Sequence, residues 1–338
     1  MTDRRILWLG IAASFALTAL IWALGWIPAS VPKLPDQGPA WYYWKLPEPT
    51  FWTRLSAWGM YAAHQVAVWG LIYWAQRSKL KYTRELHPVN WWLIGVNLLF
   101  VGLHFVQTYI WYDGLAQDVS IFSSQGSVIL LLVFVLIMET PRRGLFFGRK
   151  VGFRREFIQL IKRHHGYLFS WATIYTFWYH PMEATPGHLI GFLYTFLLLF
   201  QGVLIYNRAH INRWWTFALE AAVLVHGTIV AVYQGNGIWP MFFFGFFALI
   251  VTTQMYGLPI PNWGRWLIAG SFVAGVIAVY GLTGRGWTRL DEIVRIPIID
   301  FALVGVIYLL WLLGFWTWRG IDGLRNRSRL PGSGATAD

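Results

Sequence analysis

NWWLIGVNLLFVGLHFVQTYIW, residues 90–111, runs for 22 residues without one charged side chain. At a rise of about 1.5 Å per residue, a helix of that length crosses a hydrocarbon layer about 30 Å thick. Its polar residues follow a pattern: Asn90, Asn97 and His104 recur every seven residues, and Thr108 comes four later. Such spacing keeps all four on one helical face, turned towards neighbouring helices and away from lipid. Trp91, Trp92 and Trp111 flank the run, where amphipathic rings favour headgroup depth. The stretch reads as a membrane-spanning helix with a polar stripe.

The rest of the chain extends that reading. Of 338 residues, 57% are hydrophobic and 12% charged, with mean hydropathy +0.46, more apolar surface than soluble domains of this size can hide. Ten stretches resemble the first: 6–26, 55–76, 90–111, 121–139, 164–180, 188–206, 214–234, 238–257, 265–283 and 296–318. Spans satisfy their own backbone groups in lipid only as helices or closed barrels, and runs of this length select helices. The expected fold is all-α, a polytopic transmembrane bundle of about ten spans. Residues 1–320 form one integral membrane domain, with an outer loop at 27–53, a basic cytoplasmic loop at 140–163 and a disordered cytoplasmic tail at 321–338. Arg4 and Arg5 before residues 6–26 resemble a secretory leader, but the apolar run exceeds the usual h-region of about 7–15 residues, so it is read as the first span.

Charge sets the direction. Residues 77–87 carry Arg77, Lys79, Lys81 and Arg84, and 140–163 carry eight Lys or Arg; the alternate loops 112–120 and 181–187 carry none. The loop around Arg285, Arg289 and Arg295 is the one exception, partly offset by Asp291 and Glu292. The positive-inside rule places the basic loops and both termini in the cytoplasm of a multi-pass cell-membrane protein. The net charge of +12 fits anionic headgroups, and no nucleic-acid module accompanies it. Cysteine is absent, which excludes disulfides, thiolate-ligated iron–sulfur clusters and CxxCH haem attachment. GxSxG elbows and phosphate or dinucleotide loops are absent too.

With direction set, the nine histidines divide. His87, His164, His165 and His210 lie among Lys and Arg at the cytoplasmic ends and read as headgroup-level residues. His64, His104 and His226 fall eight to ten residues from Arg54, Asp113 and Gln234, about 12–15 Å inside the outer boundary. His180 and His188 flank the outer loop containing Glu183, and Asp300 lies five residues after Arg295. Ionisable residues inside spans are costly and default to functional sites. The expected site therefore takes His64, His104 and His226 as cofactor or metal ligands, His180 and His188 as further metal candidates, and Glu183 and Asp300 as acid/base groups. Haem b or a copper, iron or zinc ion suits imidazole donors, for redox chemistry on a lipid-soluble or outer-side substrate. The alternative is a transporter or assembly factor whose histidines are hydrogen-bonding glue between helices. Glu220, nearer the cytoplasm, is expected to pair with a base or relay protons.

Overall fold

The computed structural model describes residues 3–35 and 44–327, with side chains to residue 319. Among the described residues there is no β-strand, only isolated bridges pairing Thr83 with Asn207 and Phe146 with Arg149. The helices are α1 (Asp3–Leu24), the short α2 (Trp26–Ala29), α3 (Phe51–Arg77), α4 (Pro88–Ile110), α5 (Ile121–Arg143), α6 (Arg155–Tyr179), α7 (Pro186–Val203), α8 (Arg213–Tyr233), α9 (Trp239–Thr252), α10 (Asn262–Val276) and α11 (Asp291–Arg327).

A helix overlaps each of the ten expected stretches, and eight of the described helices are long and apolar enough to cross a membrane. The two left out, α3 and α6, match the others in length but not in apolarity. α3 carries Arg54, Ser56, His64, Gln65, Gln76 and Arg77, and the first half of α6 carries Arg155, Glu156, Lys162, Arg163, His164 and His165. These two helices pack on each other and exchange polar bonds. Trp69 Nε1 donates to the Tyr167 carbonyl at 3.0 Å, Gln76 Nε2 to the Arg163 carbonyl at 2.7 Å, and Tyr167 Oη to Gln76 Oε1 at 3.2 Å. The exterior is apolar: Trp8, Trp22, Trp91, Trp92, Trp263, Trp266, Leu309 and Trp316 are all exposed. Apolar surface so extensive fits a lipid surround.

Boundaries differ from the sequence reading where capping decides them. The basic segment expected as a loop over 140–163 shrinks to 144–154, because α5 runs on through Arg142 and Arg143. Gly144 stops it at φ +77°, a left-handed conformation that glycine adopts at no steric cost. Arg143 can stay helical because its guanidinium is paired inside the bundle with Glu220 at 2.6 Å. α11 likewise extends into the expected tail as far as Arg327, and the remainder of that tail lies outside the described residues, as does part of the 27–53 loop.

Lipid is as apolar as a leucine side chain, so helices associate in it through packing and polar bonds more than through water exclusion. The main core joins α3, α4, α6 and α7 through Leu93, Phe100, Ile174, Phe177, Trp178 and Phe196. A second cluster ties the end of α5 and the start of α6 to α11 through Ile137, Phe157 and Val304. α9 packs against α8 and α11.

Candidate functional site

The α4 stripe is the site's spine. Asn90, Asn97, His104 and Thr108 are all buried, and three of the four are committed to hydrogen bonds. Asn90 Nδ2 donates to the carbonyls of Val203 and Ile205 at 2.6 and 2.8 Å, fastening α4 to the end of α7. Thr108 Oγ1 accepts from the Met182 amide at 3.1 Å, holding the loop after α6 against α4. Asn97 Nδ2 donates to the Leu93 carbonyl at 2.7 Å, which leaves its Oδ1 facing His64 Nε2 at 3.2 Å.

That arrangement assigns the His64 tautomer. Trp178 Nε1 lies 3.3 Å from His64 Nδ1. An indole N–H only donates. Nδ1 is therefore the acceptor, Nε2 carries the proton and donates it to Asn97, and both ring nitrogens are occupied. The ring stacks on Phe100, with centres 4.4 Å apart and planes 9° apart.

His104 is the contrast. It has no exposed surface, and neither ring nitrogen makes a hydrogen bond of acceptable geometry, although the His180 backbone lies beside it. Trp178 and Phe177 pack on the ring at centre distances of 4.4 and 4.6 Å. A buried polar group without a partner costs about 1–3 kcal/mol. His104 lies within electrostatic range of His64 and His180, His180 of His226, and His188 of His180. The five histidines thus form a row, His64–His104–His180, that branches to His188 and His226. The His180 and His188 ring centres are 5.4 Å apart; His188 Nδ1 bonds Thr185 Oγ1 at 2.8 Å, and its ring meets Trp44 edge-on. His226 leans on the backbone at Gly191, with its ring centre 5.9 Å from that of Tyr194.

The expected three-imidazole set of His64, His104 and His226 is not gathered around one point. Among the described residues, no group of three His, Asp or Glu side chains is placed to hold a metal ion. Equal depth along separate helices fixes height but not direction around each axis, so His64 turns to Asn97 while His226 turns to α7.

The expected acid/base groups also separate. Glu183 is buried in the loop between α6 and α7, where Oε1 accepts from Tyr112 Oη at 2.6 Å and from Lys33 Nζ at 3.0 Å. Its loop is clamped by close backbone approach: a Cβ on Gly114 would lie 2.6 Å from the Tyr179 carbonyl oxygen. Asp300 sits on α11, which packs mainly on α9 and α5, fully buried with neither oxygen hydrogen-bonded. Next to Tyr112, burial pushes the Asp113 carboxyl up to about 6, partly opposed by the Gly114 amide that donates to it.

Sequence reasoning missed Lys33, Tyr112 and Trp178. Trp178 had a signal of sorts, since it lies two residues before His180. Lys33 sits in a proline-rich segment with no periodicity to place it. Comparison with protein-family models, curated proteins and solved structures finds no match to this chain.

Proposed function

We propose that this is a multi-pass membrane protein of about ten crossings, both termini cytoplasmic, that holds a transition metal ion at its outer-half histidine row. The ion would serve redox chemistry on a lipid-soluble or outer-side substrate. One observation carries the reading: His104 is fully buried with both ring nitrogens unbonded. Imidazoles in such a setting gain a partner for their lone pair from copper, iron or zinc. His104 and His180 would be the two imidazole donors, with His188 and His226 next along the row but outside the donor set. His64, already spent on Asn97 and Trp178, supports the row from behind. Rings packed at 4.4 and 4.6 Å beside His104 favour a single ion over the plane of haem b. A bound redox-active ion supplies one-electron chemistry that side chains here lack. Glu183, Tyr112 and Lys33, bonded to one another, hold and pass a proton among them. An apolar groove of about 290 Å³ between α7 and α8, lined by Ile190, Leu193, Tyr194, Ala218 and Ala222, gives a lipid-soluble molecule access beside His226.

Metal analysis and an absorbance spectrum of the purified protein test this. Stoichiometric copper or iron that is lost on His104→Ala supports the redox ion, zinc in its place would keep the site but remove the redox role, and a Soret band replaces it with haem. Absence of both, with no tight uptake of added metal, overturns the site.

Asp300 carries a second reading. A buried, unbonded carboxyl within an apolar helix suits proton- or cation-coupled transport. Metal-independent substrate counterflow in vesicles, abolished by Asp300→Asn, would select it.

A further inference from the structure

At the opposite, basic end of the bundle, two histidines 45 residues apart in sequence are brought together, with ring centres 6.1 Å apart: His165 on α6 and His210 in the 3₁₀ turn Arg208–Ile211. Their charged neighbours and interfacial position make them look like headgroup contacts, but their hydrogen bonding is specific. His165 Nδ1 bonds the Lys162 carbonyl at 2.7 Å, and His210 Nδ1 bonds the Gln201 carbonyl at 2.9 Å. A carbonyl only accepts, so in both rings Nδ1 carries the proton and Nε2 holds the lone pair. Neither Nε2 has a hydrogen-bond partner among the described residues.

Metal-ligating histidines are characteristically fixed this way, with one ring N–H donated to a carbonyl and the other nitrogen turned to the ion. The support is built in. Gln201 grips His210 from both sides, accepting from its ring and donating from Nε2 to its carbonyl at 3.0 Å, while Gln201 Oε1 is held by Trp215 Nε1 at 2.6 Å. With metal–nitrogen distances of about 2 Å, two imidazoles on one ion have ring centres roughly 5–6.5 Å apart.

We propose that His165 and His210 form a two-imidazole site for monovalent copper, separate from the His104 row. No third His, Asp or Glu is placed to complete a higher-coordinate set among the described residues. That selects an ion content with two donors, as d10 copper(I) is, over tetrahedral zinc. Lys162, Arg163, Arg208 and Arg213 surround the pair in sequence and penalise a divalent ion more than a monovalent one.

The test titrates the full-length protein in detergent, anaerobically, with copper(I) against a chromophoric copper(I) chelator. Wild type, His104→Ala and His164→Ala are expected to retain the same tight equivalent. His165→Ala, His210→Ala and their glutamine counterparts are expected to hold it at least tenfold more weakly, with unchanged elution and melting. Retention by the His165 and His210 variants overturns the proposal. So does equal loss in His164→Ala, which would mark an adventitious surface histidine. Because His104→Ala is a separate arm, failure here and failure at the outer row are read independently.

Discussion

Asp113→Asn is expected to stabilise the protein at neutral pH and to do nothing in acid. In the folded chain the Asp113 carboxyl is raised from 3.8 to about 6, chiefly by burial, with the Gly114 amide and Arg54 opposing and Asp118 adding to the rise. A raised carboxyl binds its proton more tightly folded than unfolded. Its contribution to stability is therefore complete below about pH 4 and is lost as pH climbs through about 6. Two pKa units correspond to about 3 kcal/mol, and allowing for residual solvent screening leaves about 2 kcal/mol. Asparagine keeps an oxygen for the Gly114 amide, which donates to Asp113 at 2.8 Å, and removes the charge. Melting of wild type and variant in one detergent from pH 4 to 8 isolates the term, because every other titration cancels in the difference. The variant is expected to melt roughly 3 °C higher at pH 7.5, for a chain of this length, with the gap closing at pH 4. A pH-independent gap, or one that widens in acid, refutes the reasoning.

Breaking the buried Arg143–Glu220 pair by Arg143→Met or Glu220→Leu alone is expected to cost about 3–5 kcal/mol, and the double replacement far less. A denaturation cycle in which the single losses simply add would show the pair to be uncoupled. Trp178→Phe leaves His64 Nδ1 without its donor, at a cost of about 1–3 kcal/mol in melting, while ¹⁵N spectra should still show the proton on Nε2 because Asn97 Oδ1 continues to accept it; a proton moved to Nδ1 would show that Trp178 fixes the tautomer. Gly114→Ala pushes a methyl into the Tyr179 carbonyl and should destabilise by about 1–3 kcal/mol. An alanine variant melting with wild type would show the Glu183 loop to be loosely seated.

The interior of the bundle was readable where spacing carries direction. Residues Asn90, Asn97, His104 and Thr108 share a face by arithmetic, and all are buried. What linear sequence does not carry is rotation between helices. Nothing in it turns His64 onto Asn97 or His226 onto Gly191, and these turns decide whether equal depth becomes a common centre. Pairings across long separations were equally hidden. Lys33 reaches Glu183 over 150 residues, and Arg143 reaches Glu220 over 77. The basic setting of His165 and His210 pointed to headgroups because charge is visible in sequence and carbonyl contacts are not. The end of α5 was misplaced for a related reason: Arg143 looks like a loop residue until Glu220 is found beside it.

The polar make-up of α3 and α6 bears on how the chain is assembled in the cell. A nascent helix partitions into lipid according to its own apolarity, and these two fall short of the standard that eight others meet. Their hydrogen bonds to each other supply what each lacks alone, yet α6 is completed about 100 residues after α3. At about 5–20 residues per second that is an interval of roughly 5–20 s. During it α3 must be sheltered by α4 or by the insertion machinery, so a chain truncated before α6 should expose α3 to quality-control proteolysis.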